Sequence, residues 1–583
     1  SAPNSYETLS CARKTTTMWM TELPPFIPFF IAAFLVILTR GWLRYLLILA
    51  TPVLGGLHLW LDVDPGIVTS ISILEYDLIL MRTDRLSLLF GYLFHIAAFI
   101  GVLFALHVRD TTQTVSSLLY AGSAMGAVFA GDLITLFIFW ELLAITSAPL
   151  IWARKTETAM RSGIRYLIIQ VSSGMLLLAG ALVQYYQSGT LEFNYIGLDS
   201  ISGWLIFIAF GIKCAFPLLH NWLTDAYPEA TPTGTVFLSA LTTKVAIYTL
   251  ARGFPGTELL VYIGAVMTVF PIFYAVIEND LRRVLAYSLI NQLGFMVCGI
   301  GIGTALSLNG TVAHAFSHVI YKALLFMSMG AVLYRAGNVY ASDLGGLYKS
   351  MPKTTLLCII GAASISAFPL FSGFVSKSMV LAAMIEEGYD IIWLMLLFAS
   401  AGVFHHAGIK VPYYAFFAKD HGIRTQEAPL NMILAMSIAA FICIFVGTQP
   451  SYLYALLPWE VEFQPYDITH VLSQLQLLMF SALAFVWLTK TGLYPDEIHS
   501  VNIDIEWLYR KFLPKVVRSI YGYTQKACNR IINICEASFN VAHQALHDTR
   551  IARLHIASNW PTGSMVLWLA IILGFFLLAD AID

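Results

Sequence analysis

Residues 211–247 run GIKCAFPLLHNWLTDAYPEATPTGTVFLSALTTKVAI. Two apolar helical stretches, each carrying a lysine (Lys213 and Lys244), are joined by a polar turn, and Pro217, Pro228 and Pro232 lie between the lysines. Lysine at the centre of a membrane helix is costly, so it faces a protein interior or a water-filled path. Pro217, four residues after Lys213, removes a backbone donor and breaks the helix. A membrane tolerates such a break only where the loosened backbone is buried in protein or lines a wet cavity. The stretch therefore points to a transport path.

Composition extends that reading to the whole chain. The 583 residues are 58% hydrophobic and 12% charged, which excludes a soluble globular domain. Apolar runs of roughly 18 to 25 residues, each long enough to cross about 30 Å of hydrocarbon, recur along its length. The expected fold is an all-α polytopic membrane protein of about 16 transmembrane helices. Residues 1–113 would hold a polar tail, Ser1 to Leu23, without the layout of a cleavable signal peptide, and three spans. A first five-helix unit follows at 114–252, a second at 259–418, two more spans at 429–489, a basic segment at 490–561 and a last span at 562–583.

Charge orients these spans. With the N-terminus outside, most of the 33 Lys and Arg residues fall on one side, including Arg154, Lys155, Arg282, Arg283, Lys349 and Lys419, as the positive-inside rule requires. The two five-helix units then run in opposite senses, and each has a lysine near a proline: Lys213 with Pro217, Pro369 with Lys377. That is the pattern of two inverted repeats with broken helices, which place a transport site near the midplane. Loop 63–84 is rich in β-branched residues and suits a short hairpin. In Tyr494 to Trp560, Trp507, Phe512, Ile520 and Ile531 alternate with Arg510, Lys515, Arg518 and Arg530. This predicts an amphipathic lateral helix lying on the membrane or on a partner, with Pro514 kinking it or marking its start.

Five lysines fall within spans: Lys213, Lys244, Lys322, Lys377 and Lys410. No arginine is expected as deep. A buried lysine can take up and release a proton, whereas arginine stays charged, so the choice favours proton handling. Glu141, in FWELLAITSAPL, is the carboxylate deepest in a span. Beside Lys213 it would hold that lysine protonated, and its withdrawal would drive the proton off; the competing reading is a static ion pair. His314, His318 and Lys322 stand at i, i+4 and i+8 and line one helix face, a spacing suited to proton relay. No third ligand accompanies the two histidines, so no metal is expected. His220, His405 and Lys410 are further candidates for the path, or interfacial groups at helix ends. Asp225 and Glu229 either collect protons or hold a turn, whereas Asp132, Glu278 and Asp280 lie near span ends as surface or interfacial charges and not as relay members. The seven cysteines form no CxxC pair, and no phosphate loop or dinucleotide fingerprint occurs, so neither cofactor nor nucleic acid is expected.

FWELLAITSAPL, the 211–247 stretch, DLRRVLAYSLINQLGFM, HAFSHVIYKALLFM and AFPLFSGFVSK resemble the antiporter-like subunits shared by Mrp-type cation/proton antiporters and respiratory complex I. The likeness covers about residues 110 to 420. It implies a polar axis across the membrane centre formed by Glu141, Lys213, Lys244, His314, His318, Lys322 and Lys377. Lysine at 377 is similar to the D component of the Mrp type and to some complex I components, while the tail resembles the largest complex I pump component or the A component of the Mrp type, whose lateral helix braces neighbours. The resemblance implies a proton-translocating subunit of a multisubunit Na⁺(K⁺)/H⁺ antiporter in a bacterial inner membrane. Its partners would be other membrane subunits, protons and monovalent cations, and it would be no enzyme itself. The alternatives are a pump subunit of an NADH:quinone oxidoreductase, a proton-coupled partner of an inorganic-carbon uptake complex, and a membrane scaffold with vestigial charges.

Overall fold

Several of the helices begin at an aspartate. Asp84, Asp110, Asp132 and Asp280 each stand one residue before a helix and accept from the N–H groups of its first turn, the donors that no intrahelical carbonyl can reach. Gly189, Gly303, Gly337 and Gly492 end four helices in the left-handed conformation that only glycine adopts without strain. The computed structural model describes residues 22–73, 76–500, 502–548 and 562–580. Most of the expected polar tail, the tip of the expected hairpin and the last part of the basic segment lie outside the described residues.

The chain divides into two units between Asn502 and Ile503. The first opens with α1 (Ile27–Leu38) and α2 (Trp42–Leu61), then a hairpin of β1 (Val68–Ile73) and β2 (Tyr76–Arg82), then α3 (Arg85–Ala105). Next come α4 (Thr111–Phe129), α5 (Leu133–Trp152), α6 (Glu157–Ser188), α7 (Ile201–Lys213), α8 (Asn221–Ala226), α9 (Gly234–Ala240) and α10 (Thr242–Gly253). After them stand α11 (Leu259–Ile277), α12 (Leu281–Ile302), α13 (Ala305–Ala336), α14 (Pro352–Ile365), α15 (Ser372–Glu386) and α16 (Asp390–Val403), which continues as a wide π turn over Phe404–Lys410. α17 (Leu430–Thr448), α18 (Pro450–Tyr454) and α19 (Ile468–Thr491) complete the unit. The second unit holds α20 (Leu513–Asp548) and α21 (Thr562–Asp580). Pro514 marks the start of α20, and Val517, Ile520, Ile531 and Phe539 are exposed along it.

All sixteen expected segments contain helix. Among the described residues, eleven helical segments are long and apolar enough to cross a membrane and four shorter ones are apolar. Leu, Ile and Phe side chains are exposed along the outer helices, whereas Gly234–Gly253, Leu281–Ile302 and Ala305–Ala336 are almost wholly buried inside the bundle. The interior packs closely enough that a Cβ added to Gly294 would lie 2.6 Å from the Gly264 carbonyl, so α11 and α12 touch backbone to backbone, as small residues permit in membranes.

Elements from Thr111 onward recur from Leu259 onward. α4 and α11 have 19 residues each, α6 and α13 have 32 each, and α7 and α14 have 13 and 14. Asp132 forms an isolated antiparallel bridge with Glu192, and Asp280 forms one with Tyr340. Both α7 and α14 then break at the same four letters, AFPL, at 215–218 and 367–370. In each, the alanine and the leucine carry positive φ: 62° and 70° in the first, 57° and 75° in the second.

Several sequence expectations need correction. The charge pattern puts Arg282 in a loop, yet it is fully buried, and its guanidinium clamps the carbonyls of Tyr227, Pro228, Ala230 and Thr231 and the Thr235 hydroxyl. The carbonyls of this turn converge on the guanidinium, and the N–H donors of arginine match them. Asp132 and Glu278 are likewise buried, not surface charges. The segment carrying Lys244 reads as one helix in the sequence, but it is interrupted at Leu241. Asp225 and Glu229 hold the turn: Asp225 takes two bonds from Arg165, at 2.8 and 2.9 Å, and Glu229 accepts from Thr158 at 2.8 Å.

Candidate functional site

Helix α7 ends at Lys213 because Pro217 cannot donate to the ladder and the chain turns at Ala215. The lysine is thereby left at a helix C-terminus, fully buried, with its Nζ 2.5 Å from the Trp140 carbonyl and 4.5 Å from the Trp140 ring centroid. Glu141 is the next residue on α5, and its charge bears on Lys213. The two do not form a direct ion pair. Glu141 is half-buried on the outer side of α5, seated over Gly174 of α6, where an added Cβ would overlap its Oε1. That oxygen has no hydrogen-bond partner among the described residues. Glu141 and Lys213 therefore bear on each other through charge, without a direct hydrogen bond.

Lys244, just past the interruption at Leu241, donates to the Ser239 carbonyl at 2.6 Å and the Thr243 hydroxyl at 3.1 Å. Its electrostatic neighbour on the α7 side is Cys214, the residue after Lys213. On the other side Lys244 and Lys377 both bear on His314, His318 and Lys322 of α13. These side chains form one buried group. His314 and His318 rings lie 6.2 Å apart, and neither nitrogen of His318 nor the Nζ of Lys322 has a hydrogen-bond partner among the described residues. Buried polar groups left in this condition are normally served by internal water.

Lys377 follows the second break, and its Nζ donates to the Ile365 carbonyl at 2.8 Å and lies 5.3 Å from the Phe295 ring. Its neighbour Ser376 contacts His314 Nδ1 at 3.0 Å. From His314 a chain of polar side chains continues: Nε2 to the Tyr321 hydroxyl at 3.5 Å, Tyr321 to Gln292 at 3.0 Å, Gln292 to Asn291 at 2.7 Å, and Asn291 to the Thr268 carbonyl. Sequence reasoning missed Ser376, Tyr321, Gln292 and Asn291. Tyr321 was open to inspection, because it stands seven residues after His314 and shares its helix face.

Lys410 is fully buried. It donates to the Val276 and Glu278 carbonyls at 2.6 and 2.8 Å and pairs with Glu497 Oε1 at 2.7 Å. Burial pushes the Glu497 carboxyl up, and the Lys410 charge draws it part of the way back. Glu497, in a polar stretch 87 positions beyond Lys410, gave no signal in the sequence. His405 lies between the Phe485 and Tyr494 rings at 5.2 and 5.4 Å. His220 stands in the first break against the Phe270 ring at 4.7 Å. No group of three or more potential metal ligands converges among the described residues.

This is a polytopic helical membrane protein whose interior carries a row of basic side chains at helix breaks. Residues 130–404 match the family described as NADH:quinone oxidoreductase/Mrp antiporter, TM. It is 28% identical over 477 residues to the D subunit of the Na⁺/H⁺ antiporter of Alkalihalophilus pseudofirmus, covering 74% of this chain and 95% of that one. Among solved structures, a chain of the Mrp complex from Dietzia superposes with a TM-score of 0.68 at 20% identity, over 81% of this chain and 99% of the other. A chain of the membrane-bound sulfane sulfur reductase, an archaeal respiratory membrane complex, superposes with a TM-score of 0.69 at 21% identity, over 96% and 100%. Both structures share this fold.

Proposed function

We propose that the chain is the proton-translocating subunit of a multisubunit, Mrp-type Na⁺(K⁺)/H⁺ antiporter in a bacterial cell membrane, with its basic face inward. The observation that carries this reading is the row of buried lysines set at helix breaks: Lys213, Lys244 and Lys377, with His314, His318 and Lys322 between the last two. Protons reside on these groups, and Glu141 sets the affinity of Lys213 through the shared Trp140 peptide. His220 serves as an approach to Lys213. Other membrane subunits supply the cation path, which makes this chain one part of a transporter and not an enzyme. The 95% coverage of an antiporter D subunit supports the assignment.

One observation favours a second reading. The reductase chain aligns with 96% of this sequence, well beyond the 81% aligned with the Mrp chain, which suits a pump subunit of a redox-linked respiratory complex. Purification of the native complex in mild detergent, with its chains identified by mass spectrometry and its absorbance recorded, separates the two. Flavin or iron–sulfur absorbance in a peripheral arm overturns the antiporter. In vesicles, Lys213→Ala abolishes proton-coupled cation exchange; unchanged exchange overturns the role of the axis.

A further inference from the structure

The π turn at Phe404–Lys410 arises because Pro412 lacks the N–H that would bond the Gly408 carbonyl and crowds that carbonyl as well. Such turns concentrate at functional positions. This one packs on the break of the Lys377 helix, where a Cβ on Gly408 would collide with the Ser366 hydroxyl. Helix α19 stabilises both widened segments: Gln474 donates to the Ser366 carbonyl at 3.1 Å and Ser481 to the Ala401 carbonyl at 3.0 Å.

His406 is fully buried at the centre of the turn. Its ring lies against the Gly402 carbonyl, and the charges of Lys322, His405 and Lys410 all bear on it. Neither ring nitrogen makes a well-formed hydrogen bond among the described residues, and neither does Lys322 Nζ. A static core would leave both of these groups unsatisfied, which burial penalises. Beyond His406 the path reaches the Lys410–Glu497 pair. Glu497 belongs to the stretch following Gly492, which is tied to the bundle at three points. Tyr494 packs on His405, His499 bonds Asp343 at 3.0 Å, and Asn502 bonds Glu278 at 3.1 Å.

We propose that His406 passes protons between Lys322 and the Lys410–Glu497 pair, giving the central axis an outlet at the basic face with Glu497 as its outermost carrier. The proton moves from one nitrogen base to the next and then to a carboxylate, with no other bond made or broken. This rests on the reading of the chain as proton-translocating.

The test uses the whole native complex in inverted vesicles, measuring proton-coupled cation exchange in His406→Gln, His406→Glu and Glu497→Gln. Glutamine fills much of the space of histidine and still forms hydrogen bonds, but it cannot carry a proton, whereas glutamate can. The expected result is a loss of about tenfold or more in maximal rate for His406→Gln and Glu497→Gln, with the cation concentration at half-saturation unchanged and partial recovery in His406→Glu. Should His406→Gln fail to assemble, Glu497→Gln decides. Wild-type rates in both glutamine variants, or a glutamate variant no better than His406→Gln, overturn the outlet alone. A wild-type complex that moves no protons overturns the functional reading and the outlet with it.

Discussion

The two broken helices share a backbone and differ in where the lysine sits. Each has AFPL at the break with left-handed alanine and leucine, yet Lys213 stands two residues before its alanine and Lys377 ten residues after. In the first break the ammonium reaches out to the carbonyl of another helix, next to Glu141. In the second it turns back on its own chain, to Ile365, the position equivalent to Lys213. The same device thus leaves one lysine open to an external carboxylate and makes the other self-contained. The freed carbonyls are handled differently too: Trp222 donates to Ile212 from within the first break, whereas Gln474 of α19 donates to Ser366 in the second.

The largest effects should come from the lysines. Lys213→Met and Lys377→Met each reduce proton-coupled exchange to background in vesicles, and the double variant is no worse, because groups acting in series are not additive. A residual rate in only one of them would mean that the two breaks do not serve one path. Glu141→Gln should slow exchange by about tenfold with Lys213 present, a dependence on a carboxylate that has no counterpart at Lys377. Removing the caps, by Trp222→Phe or Gln474→Leu, should each destabilise the protein by about 1–3 kcal/mol in detergent unfolding; a cost confined to one would show that only that break needs its cap. Leu218→Gly and Leu370→Gly should each stabilise by about 1 kcal/mol, since left-handed leucine is strained and both side chains are largely exposed. Unequal gains would break the equivalence of the two turns.

The smallest effect lies on the basic face beside the second break. Hydrogen bonds from Arg424, from Lys349 and from the Gly422 N–H hold the Asp420 carboxyl well below the usual carboxylate range. A depressed folded value means that its contribution is fully present above about pH 4 and is lost only as pH falls through the lowered value. Protection of residues 418–427 from protease should therefore be constant from neutral pH to about pH 5 and slightly weaker at all these values in Asp420→Asn.

Much of this was legible beforehand, for physical reasons. Length and hydropathy locate membrane helices, and proline marks breaks, so the segments carrying Lys213 and Lys377, the hairpin and the start of α20 can all be read from the residues. The repeated AFPL stands in plain view and went unused, although it is the signal that the two breaks are equivalent. The interruption at Leu241 has neither proline nor glycine at the residue itself, so nothing local announces it. Arg282 and Arg283 are adjacent and look alike; only the inward-facing carbonyls of residues 227–231 draw the first into the core. Glu497 and Gln292 depend on partners far away in the chain, which no periodicity records.

The polar chain that starts at His314 ends on the Thr268 carbonyl, and that end has a consequence for the histidine. A backbone carbonyl can only accept, so Asn291 must offer it the amide NH₂ and keep its oxygen for Gln292. Gln292 must then present its own oxygen to the Tyr321 hydroxyl, and the tyrosine oxygen is left to accept from His314 Nε2. One peptide group on α11 thereby dictates the imidazole tautomer, holding hydrogen on Nε2 and keeping Nδ1 basic on the side of Ser376 and Lys377. The chain works like a ratchet whose pawl is a single carbonyl: Asn291→Leu, which removes both the donor at its root and the acceptor for Gln292, would leave every orientation above it free to reverse.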